Sequence, residues 1–418
     1  GGDNPDTVVT LEGNWEFFWQ HTAADFRGAE PDLVYVPALW SDIRPPYPRQ
    51  GFATYRLQLE NLPAGSYQIR FPMIYAASNV WLDDQLMSAI GEFGTTPETT
   101  RTVFFDHTVS FASDGGRHEL LVEIAAFHHR ANGIEIVPVM GTPRAIGAAQ
   151  QLLNAKDMFL EAVLIILALY GFTIFIFRND DRSSLYFGVF CLAAATSMLV
   201  MGVNLIEYIF PGIAFWKLLF ILYVPFAIAY AFLGLYVGAL YPEERIPLLD
   251  RLFTAVFSAI ALGHVVFLLT GNTMQSSLLI PVLSLCSLPF FFYVLAIMLR
   301  AAIADREGAR MLFAGSTIFL ALLVNDLLVE ANVLHRDDSP FYGLGEFSVV
   351  AFLLSQVTIL AGRWSKTLDR SERMAKDLSQ LIDMSSAVVS DETLPKLLGR
   401  IVHSGREFLN AERGTLYL

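Results

Sequence analysis

The chain has 418 residues, which is enough for two or three domains, and 54% of them are hydrophobic. Its mean hydropathy of +0.46 exceeds that of soluble globular proteins, and its formal net charge of −13 argues against nucleic acid as a partner. Both cysteines, Cys191 and Cys286, lie in apolar stretches, so the first 150 residues contain no disulfide framework. The composition therefore indicates a membrane protein.

Residues 1–150 are predicted to form an all-β sandwich. Strand-like segments recur between turn signals at 55–59, 67–71, 80–82 and 118–124. Alternation of apolar and polar residues suits two packed sheets that each bury one face. The start at Gly1 without a methionine is interpreted as a processed end or an expression tag.

Two groups of side chains in this domain are candidate ligand contacts. Its four tryptophans could stack on sugar rings, although packing in the sandwich interior is the expected default for large aromatics. Adjacent histidines in a strand point to opposite faces, so we predict no shared metal ion. Either one histidine packs in the core and the other lies at the surface near Arg130, or the pair lies at a sugar-binding or domain-contact surface. The ligand-binding candidates are Trp40, Trp81, His128, His129 and Arg130.

Residues 151–362 are predicted to form a bundle of seven transmembrane helices, which requires the lipid bilayer as a partner. A span needs roughly 20 mostly apolar residues. The stretches that qualify are 157–177, 184–203, 216–239, 252–270, 277–299, 311–330 and 343–362.

The distribution of basic residues predicts the orientation in an inner (plasma) membrane. Loops after the odd-numbered spans contain Arg178, Arg182, Arg245, Arg251, Arg300, Arg306 and Arg310, whereas the other loops contain only Lys217 and Arg336. Because Lys and Arg concentrate on the cytoplasmic side, the N-terminus is expected outside the cytoplasm and the C-terminus inside.

Polar residues inside the spans fall in the predicted outer half of the membrane. Such residues usually face a partner helix or a cavity. We therefore expect a hydrogen-bond network between helices, an outward-opening pocket, or a rim on which the β-domain docks. The members of this predicted cluster are Glu161, Asn204, His264, Asn325 and Asp326.

The polar segment after the last span is predicted to transmit a signal. Residues 363–390 lack Gly and Pro, and Leu378, Leu381 and Val388 follow a heptad-like spacing. This seam indicates a parallel homodimer or an amphipathic helix that lies on its own domain. Residues 391–418 read as a helix and a strand that begin an α/β domain, so we expect a piece of a longer protein.

Several segments of the β-domain resemble the sugar-binding jelly-roll domain of family 2 glycoside hydrolases. These are LEGNWEF at 11–17, VPALW at 36–40, GFATYR at 51–56 and VWLDDQL at 80–86. The segment FHHRANG at 127–133 is similar to the one that closes this domain when it heads a bacterial receptor. The resemblance implies a carbohydrate or another small molecule as the ligand.

The membrane region resembles bacterial seven-transmembrane receptors with diverse intracellular signalling modules. The matching residues are LYPEE at 240–244, VND at 324–326 and the segment 356–365, while 393–418 resembles the start of a GAF domain. The resemblance implies a dimeric sensory receptor with an output enzyme beyond residue 418. A nucleotide cyclase is favoured over a diguanylate cyclase, a histidine kinase or a phosphatase by family analogy alone.

The sequence contains no phosphate-binding loop, zinc-spaced Cys/His set or nucleophile elbow. We therefore predict no catalytic residue, metal or cofactor in this chain. A transporter with an accessory β-domain and an envelope protein that acts on glycans remain the alternatives. Inverted repeats would favour the first, and a carboxylate pair in a cleft the second.

Overall fold

The computed structural model describes residues 8–201, 209–330 and 368–383, together with isolated positions between and after these ranges. The chain divides into two compact units, Gly1–Ala304 and Asp305–Leu418. Among the described residues, the first unit contains the β-domain and five helices, and the second contains a further apolar helix and residues 368–383.

The β-domain consists of antiparallel sheets, which confirms the predicted all-β character of this region. The described strands are β1 Val9–Thr10, β2 Gly13–Trp19, β3 Asp32–Val36, β4 Ala38–Leu39, β5 Gly51–Leu59, β6 Gly65–Ile74, β7 Ala77–Leu82, β8 Gln85–Ile90, β9 Phe105–Ser113, β10 His118–Ala126, β11 Gly133–Ile134 and β12 Val139–Gly141. Six strands pair in the order β3-β2-β5-β10-β7-β8, four in the order β1-β12-β6-β9, and β11 pairs with β4.

The main core of the domain contains alternate residues of the two larger sheets. Trp15 and Tyr55 come from the six-stranded sheet, and Ile69, Phe71 and Val109 come from the four-stranded sheet. Each of these side chains is at most 1% exposed. Because side chains alternate across a strand, the period-2 pattern of the sequence brings these residues to the inner faces.

The helical region begins immediately after the β-domain. The described helices are α1 Pro143–Phe177, α2 Arg182–Met198, α3 Phe215–Leu240, α4 Pro247–Leu269, α5 Thr273–Ile303 and α6 Ala309–Glu330. By length and composition α1, α3, α4 and α5 can cross a membrane, whereas α2 is shorter; in α6, the residues whose side chains the structure describes include the apolar stretch Ala309–Leu322. The predicted seventh span at 343–362 lies outside the described residues apart from isolated positions, so the count of seven stays a prediction.

Helix α1 starts well before the predicted span at 157–177 and before the predicted domain boundary at 150. Thr142 caps it, because the Thr142 hydroxyl accepts a hydrogen bond from the Ala145 N–H at 3.2 Å, and Pro143 occupies the first turn. Hydropathy detects only the apolar part of such a helix. Because β12 ends at Gly141 and α1 begins at Pro143, only Thr142 separates the strand from the first membrane helix.

Helices α1 and α2 pack closely through two glycines. A Cβ atom at Gly171 would lie 2.8 Å from the carbonyl oxygen of Ser184 and 2.9 Å from the backbone nitrogen of Gly188. This approach of the two backbones requires glycine and fixes α1 against α2.

Residues 368–383 of the second unit are helical. Leu378 and Leu381 are 58% and 48% exposed on this helix. Val388 lies outside the described residues. The dimer seam and the GAF-like start stay predictions.

Candidate functional site

The segment 127–133, here called the junction loop, follows strand β10 and is held in shape by the β-domain. Asn132 is 1% exposed, and its side-chain oxygen accepts a hydrogen bond from the Trp40 backbone N–H at 2.9 Å. Its amide nitrogen donates to the carbonyl oxygens of Arg49 at 3.0 Å and Arg130 at 3.1 Å. These bonds fix the loop from within the domain.

Gly133 closes the loop in a conformation that favours glycine. Its φ is +90°, and a Cβ atom would lie 2.8 Å from the Tyr55 hydroxyl oxygen and 2.9 Å from the Ala38 carbonyl oxygen. Any larger residue would be strained and would also collide with neighbours that have little freedom to move.

The same loop contacts the membrane helices through two consecutive residues. His129 Nε2 lies 2.7 Å from the hydroxyl oxygen of Tyr223 on α3. The backbone N–H of Arg130 donates to the hydroxyl of Ser277 on α5 at 2.9 Å. The β-domain is therefore joined to two helices by polar contacts, in addition to its covalent link to α1.

The hydrogen bonds of His129 define its protonation. Its Nδ1 accepts from the Ala131 backbone N–H at 3.1 Å, so the proton of the neutral ring is assigned to Nε2, which donates to Tyr223. Burial, together with the charge of Arg130, lowers the pKa of His129 from 6.5 to about 3. The ring is therefore neutral at physiological pH.

Aromatic and aliphatic side chains enclose this contact. The His129 ring stacks on Tyr75 with 4.2 Å between ring centroids and an interplanar angle of 14°. Burial raises the pKa of Tyr75, so its hydroxyl stays protonated. Phe104 of the β-domain belongs to one buried apolar cluster with Leu219 and Leu222 of α3. The junction is therefore a dry apolar joint with a few polar contacts inside it.

His264 on α4 continues the series of ring contacts formed by Tyr75, His129 and Tyr223. Its ring centroid lies 5.1 Å from that of Tyr223, and its Nδ1 lies 2.9 Å from the Ser276 hydroxyl on α5. The residue is fully buried, and its Nε2 has no hydrogen-bond partner among the described residues. Tyr75, His129, Tyr223 and His264 thus connect the β-domain to α3 and α4.

The other ligand-binding candidates of the β-domain make no described hydrogen bond to the membrane helices. Trp40 is fully buried in the main core and its Nε1 donates to the Tyr55 hydroxyl at 2.8 Å. Trp81 packs against a different cluster and donates to Glu123 at 2.7 Å. Half-buried His128 lies with Nδ1 3.1 Å from the Thr102 hydroxyl. The two tryptophans are therefore not brought together, and Trp40 presents no surface to a ligand in this arrangement.

The predicted transmembrane polar cluster is only partly described. Glu161 on α1 is 5% exposed and His264 is at the junction. Asn325 on α6 is partly buried, whereas Asn204 and the side chain of Asp326 lie outside the described residues. Their assembly into one cluster stays a prediction. Within the described part of the chain, no group of three or more His, Cys, Asp or Glu side chains could hold a metal ion.

Sequence reasoning identified His129 and Arg130 but missed their partners. Tyr75, Tyr223, Ser276 and Ser277 were not predicted. A pair of serines near the start of an otherwise apolar helix is a weak signal of a polar contact, and it was available in the sequence.

Residues 154–363, half of the chain, match the model of one protein family, described as 7TM diverse intracellular signalling. The chain belongs to this family. Membership in the 7TM diverse intracellular signalling family indicates a transmembrane sensory receptor and confirms the resemblance seen in the membrane region. Comparison with curated proteins found no match.

Solved structures that match the chain include family 2 glycosidases. A β-galacturonidase from Eisenbergiella tayi bound to galacturonate is 17% identical with a TM-score of 0.25, over 32% of this chain and 24% of that one. A β-glucuronidase from Faecalibacterium prausnitzii is 17% identical with a TM-score of 0.26, over 33% and 32%. A putative β-galactosidase from Bacteroides fragilis is 15% identical with a TM-score of 0.25, over 32% and 23%. The chain thus spans a third or less of these proteins, and the similarity supports no conclusion about activity.

Proposed function

We propose that this family member is a receptor whose β-domain lies outside the cytoplasm and controls a cytoplasmic output enzyme through the membrane helices. The observation that carries the proposal is the double attachment of the β-domain. Thr142 links β12 covalently to α1, and the junction loop contacts α3 and α5 through His129 and Arg130.

The covalent attachment is short enough to transmit motion. A strand and a capped helix separated by one residue move together, whereas a flexible linker would absorb the displacement. The contacts of the junction loop with α3 and α5 form a second attachment. They restrain the β-domain when they are made and let it move when they are broken. A ligand that favours one docking geometry would therefore shift the equilibrium between two arrangements of the helices.

The ligand in this proposal is a carbohydrate or another small molecule outside the cytoplasm. It acts on the β-domain or on the polar cluster of the outer membrane half. In this proposal the transmembrane region has seven spans. Arginines follow the odd-numbered spans, which supports a C-terminus in the cytoplasm. Reporter fusions after Gly271 and after Arg306 should score outside and inside respectively, and the reverse result would contradict this topology.

The cytoplasmic helix is proposed to pair with a second copy in parallel. Met374, Leu378 and Leu381 are 66%, 58% and 48% exposed and follow 4-3 spacing on a helical segment. The pair would pass helix rotation to the GAF-like start and to an output enzyme, for which a nucleotide cyclase is the favoured class. One residue inserted near Ser379 should disturb output far more than seven, which nearly restore the helix phase.

A flexible insertion at Thr142 tests the receptor mechanism directly. In the full-length protein, four Gly/Ser residues after Thr142 should change basal output several-fold while the β-domain stays folded. The same insertion after Gly115, in the exposed turn between β9 and β10, is the matched control and should leave output unchanged. Equal output from both insertions and the wild type would contradict the proposed coupling.

A further inference from the structure

Helix α1 carries a stripe of four polar side chains before and inside its membrane span. Gln150, Asn154, Asp157 and Glu161 follow 4-3-4 spacing. At about 100° per residue they fall within an arc of about 60° and extend over about 16 Å of the helix. These residues are here called the α1 stripe.

The opposite side of α1 is apolar and exposed. Leu152, Phe159 and Ile166 are 74%, 53% and 63% exposed. The side chains of the α1 stripe are by contrast partly or fully buried. An apolar outer face with a polar inner face is the pattern of a membrane helix that turns lipid-facing residues outward and lines a polar space within the protein.

Two oxygens of the α1 stripe lack hydrogen-bond partners among the described residues. Glu161 is 5% exposed, and its Oε1 is buried and unpartnered. Gln150 Oε1 is also buried and unpartnered, while the amide nitrogen of this residue donates to Asn154 Oδ1 at 2.7 Å. Both orphaned atoms are acceptors, so the group that complements them must be a hydrogen-bond donor.

The charges of the stripe favour a donor that is also a cation. Lys156 Nζ lies 3.7 Å from Asp157 Oδ1, so the described lysine is paired with that carboxylate. No salt bridge to Glu161 is formed by a described basic residue. A carboxylate that is removed from water without a counter-charge is costly, which a bound cation would relieve.

We propose that the α1 stripe is a binding site for an amine-bearing cation. The ammonium group donates hydrogen bonds to Glu161 at the inner end of the stripe, and Gln150 accepts from a second donor toward the β-domain. The assignment gives a ligand class to the receptor function proposed above and rests on it. The site lies on α1, which Thr142 joins to β12. A bound cation would therefore act on the same helix that transmits motion of the β-domain in the proposed receptor mechanism.

The proposal is tested on the purified full chain in detergent with methylammonium chloride as the probe. The melting temperature should rise saturably with methylammonium, compared with sodium chloride at equal ionic strength. Tetramethylammonium has the same charge but no N–H donor, and it should give no saturable rise. A similar rise with tetramethylammonium would overturn the proposed hydrogen-bonded site.

Variants distinguish the site from unspecific effects. Glu161→Gln should weaken the apparent methylammonium affinity at least about tenfold, as expected when a buried charge partner is lost. Asp180→Asn removes an exposed carboxylate just after α1 and should leave the affinity unchanged. Glu161→Asp keeps the carboxylate and should retain saturable binding, which separates loss of the charge partner from misfolding.

Other outcomes would overturn the assignment without affecting the receptor function. A melting temperature that does not respond to methylammonium, together with a pH dependence that Glu161→Gln reduces, would assign a proton to Glu161. Equal affinities in Glu161→Gln and the wild type would place the cation elsewhere as an adventitious ion only. Neither readout uses the output enzyme, so a failed binding test and failed signalling are separately visible.

Discussion

The interior of the β-sandwich and the junction loop are both buried, but their polar atoms are satisfied in different ways. In the interior, Trp15 Nε1 donates to the Leu11 carbonyl at 3.0 Å and Trp40 Nε1 to the Tyr55 hydroxyl at 2.8 Å, all within one domain. At the junction, His129 and the Arg130 backbone bond to helices far along the chain.

This difference separates folding from docking. A large apolar side chain of the interior contributes roughly 1.5–3 kcal/mol on burial, and many such residues act together. A hydrogen bond across the junction contributes only about 0.5–1.5 kcal/mol net. Changes in the interior should therefore unfold the domain, whereas changes to the polar contacts of the junction should loosen its docking on the helices while it stays folded.

The largest expected effect comes from Gly133→Ala, which alters the base of the junction loop where it meets the interior. Positive φ and contacts below 3.0 Å should cost about 3 kcal/mol or more in the free energy of unfolding. The measurement is the melting temperature and yield of the full chain. Gly147→Ala, in open space on α1, is the control and should be neutral or slightly stabilising. Equal melting temperatures for the two variants would contradict the role of Gly133.

The pH dependence of stability gives an intermediate effect. The pKa of His129 is about 3 in the folded chain against 6.5 as its ordinary value, so the unfolded state binds more protons between these values. Stability is therefore complete above about pH 6.5 and falls on acidification, by roughly 2 kcal/mol at pH 5 from this group. Buried His107, with its pKa lowered to about 4, contributes in the same direction within the interior.

Melting temperatures at pH 7 and pH 5 separate these two histidines. His129→Asn should reduce the drop between the two pH values and leave the share of His107. His21→Asn replaces a partly exposed histidine away from the junction and the interior, and it should retain the drop. A drop in melting temperature that is as large in His129→Asn as in the wild type would contradict the pH dependence assigned to His129.

The smallest expected effect is that of Tyr223→Phe, which deletes one hydroxyl at the junction. The variant leaves the His129 Nε2–H without its acceptor at a cost of about 1 kcal/mol, the lower end of the range for a buried donor that loses its partner. A double-mutant cycle with His129→Asn, read by the melting temperature, should give a coupling of roughly 1 kcal/mol. Additive effects would mean that the two side chains do not interact in solution.

Much of the β-domain was predictable because its signals are local. The predicted strand at 118–124 lies within β10 His118–Ala126, and 55–59 lies within β5 Gly51–Leu59. Turn residues and period-2 alternation are read from a few neighbouring positions. The start of α1 was missed because hydropathy does not detect its polar first turns, although Thr142-Pro143 is a helix-start signal.

The candidate site was only half predictable. The sequence predicted residues 128–130 as a candidate site because of the adjacent histidines. A surface that contacts another domain was one of the interpretations left open. The partner of His129 is Tyr223, 94 residues away, and no local pattern relates them. Trp40 illustrates the opposite case, because an aromatic residue that looked able to bind a ligand is a core residue that supports the loop.

Hydrogen exchange in the full chain tests the central claim, that the junction loop docks the β-domain on the helices. The Arg130 amide bonds to Ser277, so Ser277→Ala should speed exchange in residues 127–133 by up to about tenfold. Strand β10 should keep its protection, because its ladder to β5 is untouched. Unchanged exchange in the loop, or an equal rise throughout the β-domain, would contradict a docking contact that is separable from the fold.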